Sequence, residues 1–129
     1  MEHLGRHVII ELWGCSDAIN DVNQVESAMR NAVHAANATL LNLFVHEFSP
    51  QGVTGVAVLA ESHLSIHTWP EYRYVAADVF TCGSTTDPNA AAEVLRKSFD
   101  AETFDVRELE RGVMPKSMRR SLPTQFASA

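Results

Sequence analysis

Thr39-Leu-Leu-Asn-Leu-Phe-Val-His-Glu-Phe48, Ser49-Pro50-Gln51-Gly52 and Val53-Thr-Gly-Val-Ala-Val-Leu-Ala60 together decide the fold. The first and last pieces are rich in aliphatic, β-branched and aromatic residues and read as strands. Between them Pro50 fixes φ and Gly52 tolerates positive φ, so the four residues form a turn that sends the chain back on itself. Strands joined this tightly are antiparallel. Residues 63–69 then alternate, with Leu64, Ile66 and Thr68 on one face and His63, Ser65, His67 and Trp69 on the other. Pro70 interrupts, and Tyr74 to Thr81 reads as a further strand.

Outward from this centre, residues 7–13 read as a buried strand closed by Gly14-Cys15-Ser16-Asp17. Val22, Val25, Met29, Val33 and Ala36 share one face of a helix, with Asp17, Asn20 and Asp21 as candidate N-caps and Asn37 as its end. Asp87-Pro88 opens a second helix whose apolar face is Ala91, Val94, Leu95 and Phe99. A weaker strand follows at Phe104 to Leu109, and after Gly112 the pattern dissolves. The order β-α-β-β-β-β-α-β predicts an α+β, two-layer sandwich: a mainly antiparallel sheet with two helices packed on one face. Residues 1–112 form the expected single domain, and 113–129 a basic, flexible tail.

Composition agrees with one domain. The 129 residues are 46% hydrophobic and 20% charged, too apolar for intrinsic disorder. Runs such as Val56 to Ala60 fall far short of the roughly 20 residues that cross a bilayer, and Met1 to His7 lack the apolar run of a signal peptide, so a cytoplasmic protein is expected. Net charge is −6, and residues 1–110 carry 6 basic against 16 acidic groups, a net of −10. Such a body repels nucleic acid and favours cationic ligands. No internal repeat, Walker loop or GxGxxG is visible. The two cysteines, Cys15 and Cys82, form no CxxC and no expected disulfide; each is a small buried hydrophobe or a reactive thiol.

The chemistry concentrates in Glu61-Ser-His-Leu-Ser-Ile-His-Thr-Trp-Pro-Glu71, with Cys82 one strand later. Hydroxyl, imidazole and thiol are the parts of acyl- and proton-transfer chemistry. A serine hydrolase lacks its Gly-x-Ser-x-Gly elbow. A metal site at His63 and His67 is disfavoured, because four residues of strand separate them by roughly 13 Å, and no metal is expected. A merely polar sheet face and self-processing at Glu61-Ser62 remain.

The run Ala60 to Glu71, followed by Asp78-Val-Phe-Thr-Cys-Gly83, closely resembles the prokaryotic S-adenosylmethionine decarboxylase proenzymes. Leu4-Gly5-Arg6-His7, Phe48-Ser49-Pro50 and Gly52-Val53-Thr54-Gly55 match as well, so the resemblance covers about residues 4–112. It implies a pyruvoyl enzyme. Ser62 attacks the carbonyl of Glu61, turning the amide into an ester. β-Elimination then leaves a β chain 1–61 and an α chain 62–129, whose first residue becomes the covalent pyruvoyl group. Decarboxylation leaves a carbanion, and a ketone joined to the substrate amine as a Schiff base gives its electrons somewhere to go.

The same resemblance implies His67 as the proton acceptor in processing and Cys82 as the proton donor to the product carbon. Phe48 corresponds to the aromatic that stacks on adenine and Glu71 to the carboxylate that binds ribose hydroxyls. Thr54 stands where a serine assists processing, keeping the hydroxyl and adding a methyl. Arg73 replaces an expected small residue and is expected to alter the substrate pocket. His63 reads as a supporting residue, and His7 and Glu11 carry no assigned role. The implied substrate is S-adenosylmethionine, decarboxylated for spermidine synthesis. The same scaffold could act on arginine or ornithine instead, and an unprocessed, non-catalytic subunit is a further alternative.

One expectation is geometric. In an unbroken strand Ser62 and His67 lie five positions, or roughly 16 Å, apart, with side chains on opposite faces. A histidine so placed cannot reach its own serine. A two-fold-related copy could supply it, giving a dimer of αβ heterodimers (α2β2) with active sites at the interface. By resemblance Ser62 and Cys82 come from one protomer, and Thr54, Phe48, His67 and Glu71 from the other.

Overall fold

The computed structural model describes residues 3–119. One six-stranded sheet contains β1 (Gly5–Trp13), β2 (Leu40–Glu47), β3 (Val53–Leu59), β4 (Ser62–Trp69), β5 (Tyr74–Cys82) and β6 (Thr103–Arg111). Their spatial order is β2-β3-β4-β5-β1-β6, and every neighbouring pair is antiparallel. Helix α1 (Val22–Ala35) carries the chain from β1 to the far edge at β2, and α2 (Pro88–Ser98) carries it from β5 to β6. The architecture is the expected two-layer α+β sandwich. Among the described residues no helix is long and apolar enough to cross a membrane.

The helix ends form for the reasons visible in the sequence. The Asp21 carboxylate accepts from the backbone N–H groups of Asn23 and Gln24, and Asp87 does the same for Asn89 and Ala90. Each satisfies donors that a helix start leaves open, worth about 1 kcal/mol. Asn37 sits just past α1 with a left-handed φ of 58° and ends the helix.

Burial follows the alternation. Val8, Ile10 and Leu12 of β1, Val53, Ala57 and Leu59 of β3, Leu64 and Ile66 of β4, and Val75, Ala77 and Val79 of β5 point under the helices. Val25, Met29, Ala32, Ala91, Leu95 and Phe99 meet them from above. Where α1 crosses β3 the approach is closest: a Cβ on Gly55 would overlap the buried Met29 sulfur and press on Ile66 at 3.1 Å.

Three local readings shift. The last strand runs from Thr103 to Arg111, longer than expected, because it pairs with β1 along its whole length, from Trp13 opposite Thr103 to Gly5 opposite Arg111. Its charged residues had obscured the ends of this solvated edge strand. Phe48 lies one residue beyond β2. In the tail, Lys116–Arg119 form a short helix, α3; residues 120–129 lie outside the described residues.

Arg73 has an architectural place. It takes a left-handed φ of 53° after the helical turn Pro70–Tyr72. Its Nε donates to the Cys15 carbonyl at 2.8 Å, and the Cys15 N–H donates back to the Arg73 carbonyl at 3.0 Å. The side chain thus ties the exit of β1 to the β4–β5 turn. Cys15 is fully buried, and burial pushes its thiol up to about 11, so it packs as a small hydrophobe.

Gly55→Ala should lower stability by about 1–3 kcal/mol through overpacking against Met29. Urea unfolding measures it; an unchanged midpoint would mean that α1 can move off the sheet freely.

Candidate active site

With the helices covering one face of the sheet, the polar alternating residues of β1, β3, β4 and β5 occupy the other. They form two groups at opposite ends of β4.

The first group surrounds the Glu61-Ser62 peptide. Residues 60 and 61 turn between β3 and β4, and Ser62 starts β4 opposite Leu59 and Thr81. Its φ is +152°, which L side chains rarely adopt, and backbone of this kind costs of order 1–3 kcal/mol. The Glu61 carbonyl oxygen accepts two hydrogen bonds from Cys82, one from the backbone N–H at 3.1 Å and one from the thiol at 3.2 Å. The Glu61 side chain is occupied elsewhere, accepting from the Thr39 N–H at 3.0 Å. Cys82 itself is exposed and forms no disulfide. Beside it a cleft of about 200 Å³ is lined by His3, Leu4, Arg6, Thr81, Gly83 and Ser84.

A network that sequence reading did not assemble runs behind Ser62. Asp78 on β5 accepts from His7 Nε2 of β1 at 2.6 Å, from His63 Nε2 of β4 at 3.1 Å, and from the Ser65 hydroxyl. Burial by itself would push the Asp78 carboxyl up, but the hydrogen bonds from Ser65, His7 and His63 outweigh it and hold the group below the usual carboxylate range. Phe80 completes a triangle with the two histidine rings, stacked near His63 at 5.9 Å and edge-on to His7 at 5.2 Å, with the histidine rings 6.1 Å apart. The strand order was the missing signal. His7 and His63 both face Phe80 across β5, which is visible only once β1 and β4 are known to flank it.

The second group lies at the far end of β4. His67 pairs with Thr54 of β3, and the Thr54 hydroxyl meets His67 Nδ1 at 3.2 Å. Phe48, Gln51, Thr54, His67, Trp69 and Glu71 line a cleft of about 400 Å³. The residues carried over for processing and for adenine and ribose recognition thus converge here. Phe48 stands edge-on to His46 with centroids 4.5 Å apart, and Glu71 sits in the turn Pro70–Tyr72.

The two groups do not meet within one chain. β4 is continuously paired from Ser62 to Trp69, so His67 lies five residues from Ser62, roughly 16 Å along the strand. The distance half of the geometric expectation therefore holds. By register Ser62 stands opposite Leu59 and Thr81, both on the helix-covered face, while its φ of +152° departs from the regular strand backbone of residues 63–69.

Comparison with known proteins identifies the family. A family model described as S-adenosylmethionine decarboxylase matches residues 6–112. A protein of Thermomicrobium roseum named S-adenosylmethionine decarboxylase proenzyme is 54% identical over 115 residues, covering 88% of this chain and 98% of its own. One of the same name from Methanococcus maripaludis is 50% identical, covering 88% of this chain and 94% of its own. The crystal structure of the adenosylmethionine decarboxylase of Aquifex aeolicus superposes with a TM-score of 0.82 at 34% identity, over 90% of this chain and 97% of that one. The chain belongs to the S-adenosylmethionine decarboxylase family, and its reading as a carboxy-lyase proenzyme stands on that membership. The arginine or ornithine alternative is not favoured.

Among uncleavable chains, Ser62→Gly should resist urea better than Ser62→Ala by about 1 kcal/mol, because glycine takes positive φ freely. Equal unfolding midpoints would show that position 62 is unstrained.

Proposed function

We propose that this chain cuts its own Glu61-Ser62 bond, yielding a β chain 1–61 and an α chain 62–129 headed by a pyruvoyl group made from Ser62. In this reading it is a cytoplasmic enzyme that converts S-adenosylmethionine to its decarboxylated form and CO2, for aminopropyl transfer in spermidine synthesis. The observation that carries the reading is the pair of Cys82 donors on the Glu61 carbonyl oxygen, 3.1 and 3.2 Å away.

That oxygen gains negative charge when the Ser62 hydroxyl adds to its carbon. Two donors already in place, an N–H and a weaker S–H, stabilise the charge without reorganisation, and an N–H donor of this kind is worth about 100- to 1,000-fold in rate. The positive φ at Ser62 favours the same outcome, since breaking the peptide releases the strain. The residues present therefore suit the formation of a pyruvoyl group at position 62. That ketone supplies the electron sink that amino-acid decarboxylation needs. Cys82 is exposed at the same position and can return a proton to the product carbon. The cleft of Phe48 and Glu71 offers an aromatic ring for adenine and a carboxylate for ribose hydroxyls.

Cleavage and substrate binding in this scheme require a second copy of the chain. His67 and its Thr54 partner are too far from their own Ser62, but a two-fold-related protomer brings the clefts together. The open sheet face supports this assembly, since Phe44, Val56, Val58 and Trp69 are each more than a third exposed on it.

Purified wild-type chain should run as two fragments, the larger starting with a blocked residue 62, while Ser62→Ala stays whole. Intact mass spectrometry decides it, and a wild-type chain that never splits would refute self-cleavage. Cys82→Ala should still split, more slowly, because the backbone donor remains, yet release little CO2 from S-adenosylmethionine. Turnover equal to wild type would remove Cys82 from proton donation.

The shared site has its own test. Ser62→Ala and His67→Ala should each fail to cleave alone, whereas co-expression should restore one cleaved site per mixed dimer. Verified mixed dimers that stay whole would place His67 outside the partner's site.

A further inference from the structure

Four side chains from four strands assign the protons around Ser62. An arginine guanidinium only donates, so Arg111 Nη1, 2.9 Å from His7 Nδ1, makes that nitrogen an acceptor. His7 then carries its proton on Nε2 and donates to Asp78. The Asp78 carboxylate only accepts, so His63 Nε2 also carries a proton and donates to it. His63 is left with an unprotonated Nδ1, and that atom faces the Ser62 hydroxyl oxygen at 3.5 Å. The His7, His63 and Asp78 atoms also lie within 4.8 Å of one another. With both Nε2 atoms protonated, however, the cluster is a hydrogen-bond relay and not a ligand set.

We propose that His63, oriented by Asp78, is the base that takes the Ser62 hydroxyl proton in the acyl shift, a step separate from the one assigned to His67. The inference rests on the self-cleavage reading and gives it a first proton acceptor within the same chain. The 3.5 Å contact is at the long limit of a hydrogen bond, as uncommitted catalytic contacts often are, and it tightens as Oγ turns nucleophilic. Phe80, stacked near the His63 ring, and Asp78 at its far nitrogen hold the imidazole in plane.

The step balances without any co-reactant. The proton moves from Ser62 Oγ to His63 Nδ1 as the new C–O bond forms at the Glu61 carbon. Charge collects on the Glu61 oxygen, between the Cys82 N–H and thiol. Collapse breaks the C–N bond, and His63 returns its proton to the departing Ser62 nitrogen. An ester and a free amine result, and His63 is neutral again. The later elimination removes a proton from carbon, and that is the task left for His67 of a second copy. Asp78 touches no reacting atom and is a positioning residue.

The test follows full-length chains by denaturing gel and intact mass, with and without hydroxylamine, which cuts an ester but not an amide. His63→Ala should cleave at least about 100-fold more slowly than wild type, with the uncleaved chain resistant to hydroxylamine. Added imidazole should restore much of the rate. Asp78→Asn should also slow cleavage, but imidazole should not help, because His63 still fills the base position. His67→Ala should instead accumulate hydroxylamine-sensitive ester. His63→Gln keeps a donor toward Asp78 and serves as the folded control, expected to be as slow as His63→Ala. Cleavage of either His63 variant at the wild-type rate, or ester accumulation in them, overturns the proposal. A wild-type chain that never cleaves overturns the self-cleavage reading itself, and the two failures are thereby distinct.

Discussion

The register of β4 against β5, from Ser62 opposite Thr81 to Trp69 opposite Tyr74, holds the cleavage site together. It brings the Cys82 N–H and thiol onto the Glu61 carbonyl oxygen and sets Asp78 beside Ser65 and within reach of His63. A slip of one residue would turn every β4 side chain to the other face, burying His63 and His67 and exposing Leu64 and Ile66. The register is therefore guarded by the core itself. Leu64, Ile66, Val75 and Val79 are essentially inaccessible, and each buried aliphatic side chain contributes about 1.5–3 kcal/mol against the slipped alternative.

One face of the sheet is spent on stability and the other is left for chemistry. The helices close only one side, with α1 pressed down so closely that a Cβ at residue 55 would overlap Met29. On the open side lie two histidines around a carboxylate, which a buried apolar core would not tolerate, together with an exposed thiol. Apolar residues share that side, and their exposure in a single chain fits a surface completed by a second copy. In the proposed shared site maturation is coupled to assembly, because an unpaired chain keeps its serine and its distant histidine apart.

Charge is arranged with the same economy. Asp78 is the half-buried anion at the centre of the open face, and three donors offset its desolvation. Arg111, from the edge strand β6, reaches His7 and sets which ring nitrogen of that histidine carries the proton. In sequence the edge strand reads only as a weaker strand at Phe104 to Leu109, because its charged residues dilute the apolar pattern. Its pairing with β1 supplies both an ordered edge and the cation that sets the His7 tautomer.

Much of this was legible before any coordinates. Alternation in residues 63–69, the Pro50-Gly52 turn and the Asp87-Pro88 start act over a few residues, and local physics is what a sequence records most directly. The Glu61-Ser62 pair, His67, Cys82, Phe48 and Glu71 were likewise named from their motif. The sequence by itself thus determined the layer, the faces and the inventory of reactive groups. Only the tertiary structure decided which groups meet. It separated His67 from Ser62, joined Cys82 to the Glu61 carbonyl, turned Arg73 onto the Cys15 backbone, and assembled Arg111, His7, Asp78 and His63 into one relay. Those contacts depend on strand order and register between segments up to a hundred residues apart, and no local pattern encodes which distant strands become neighbours.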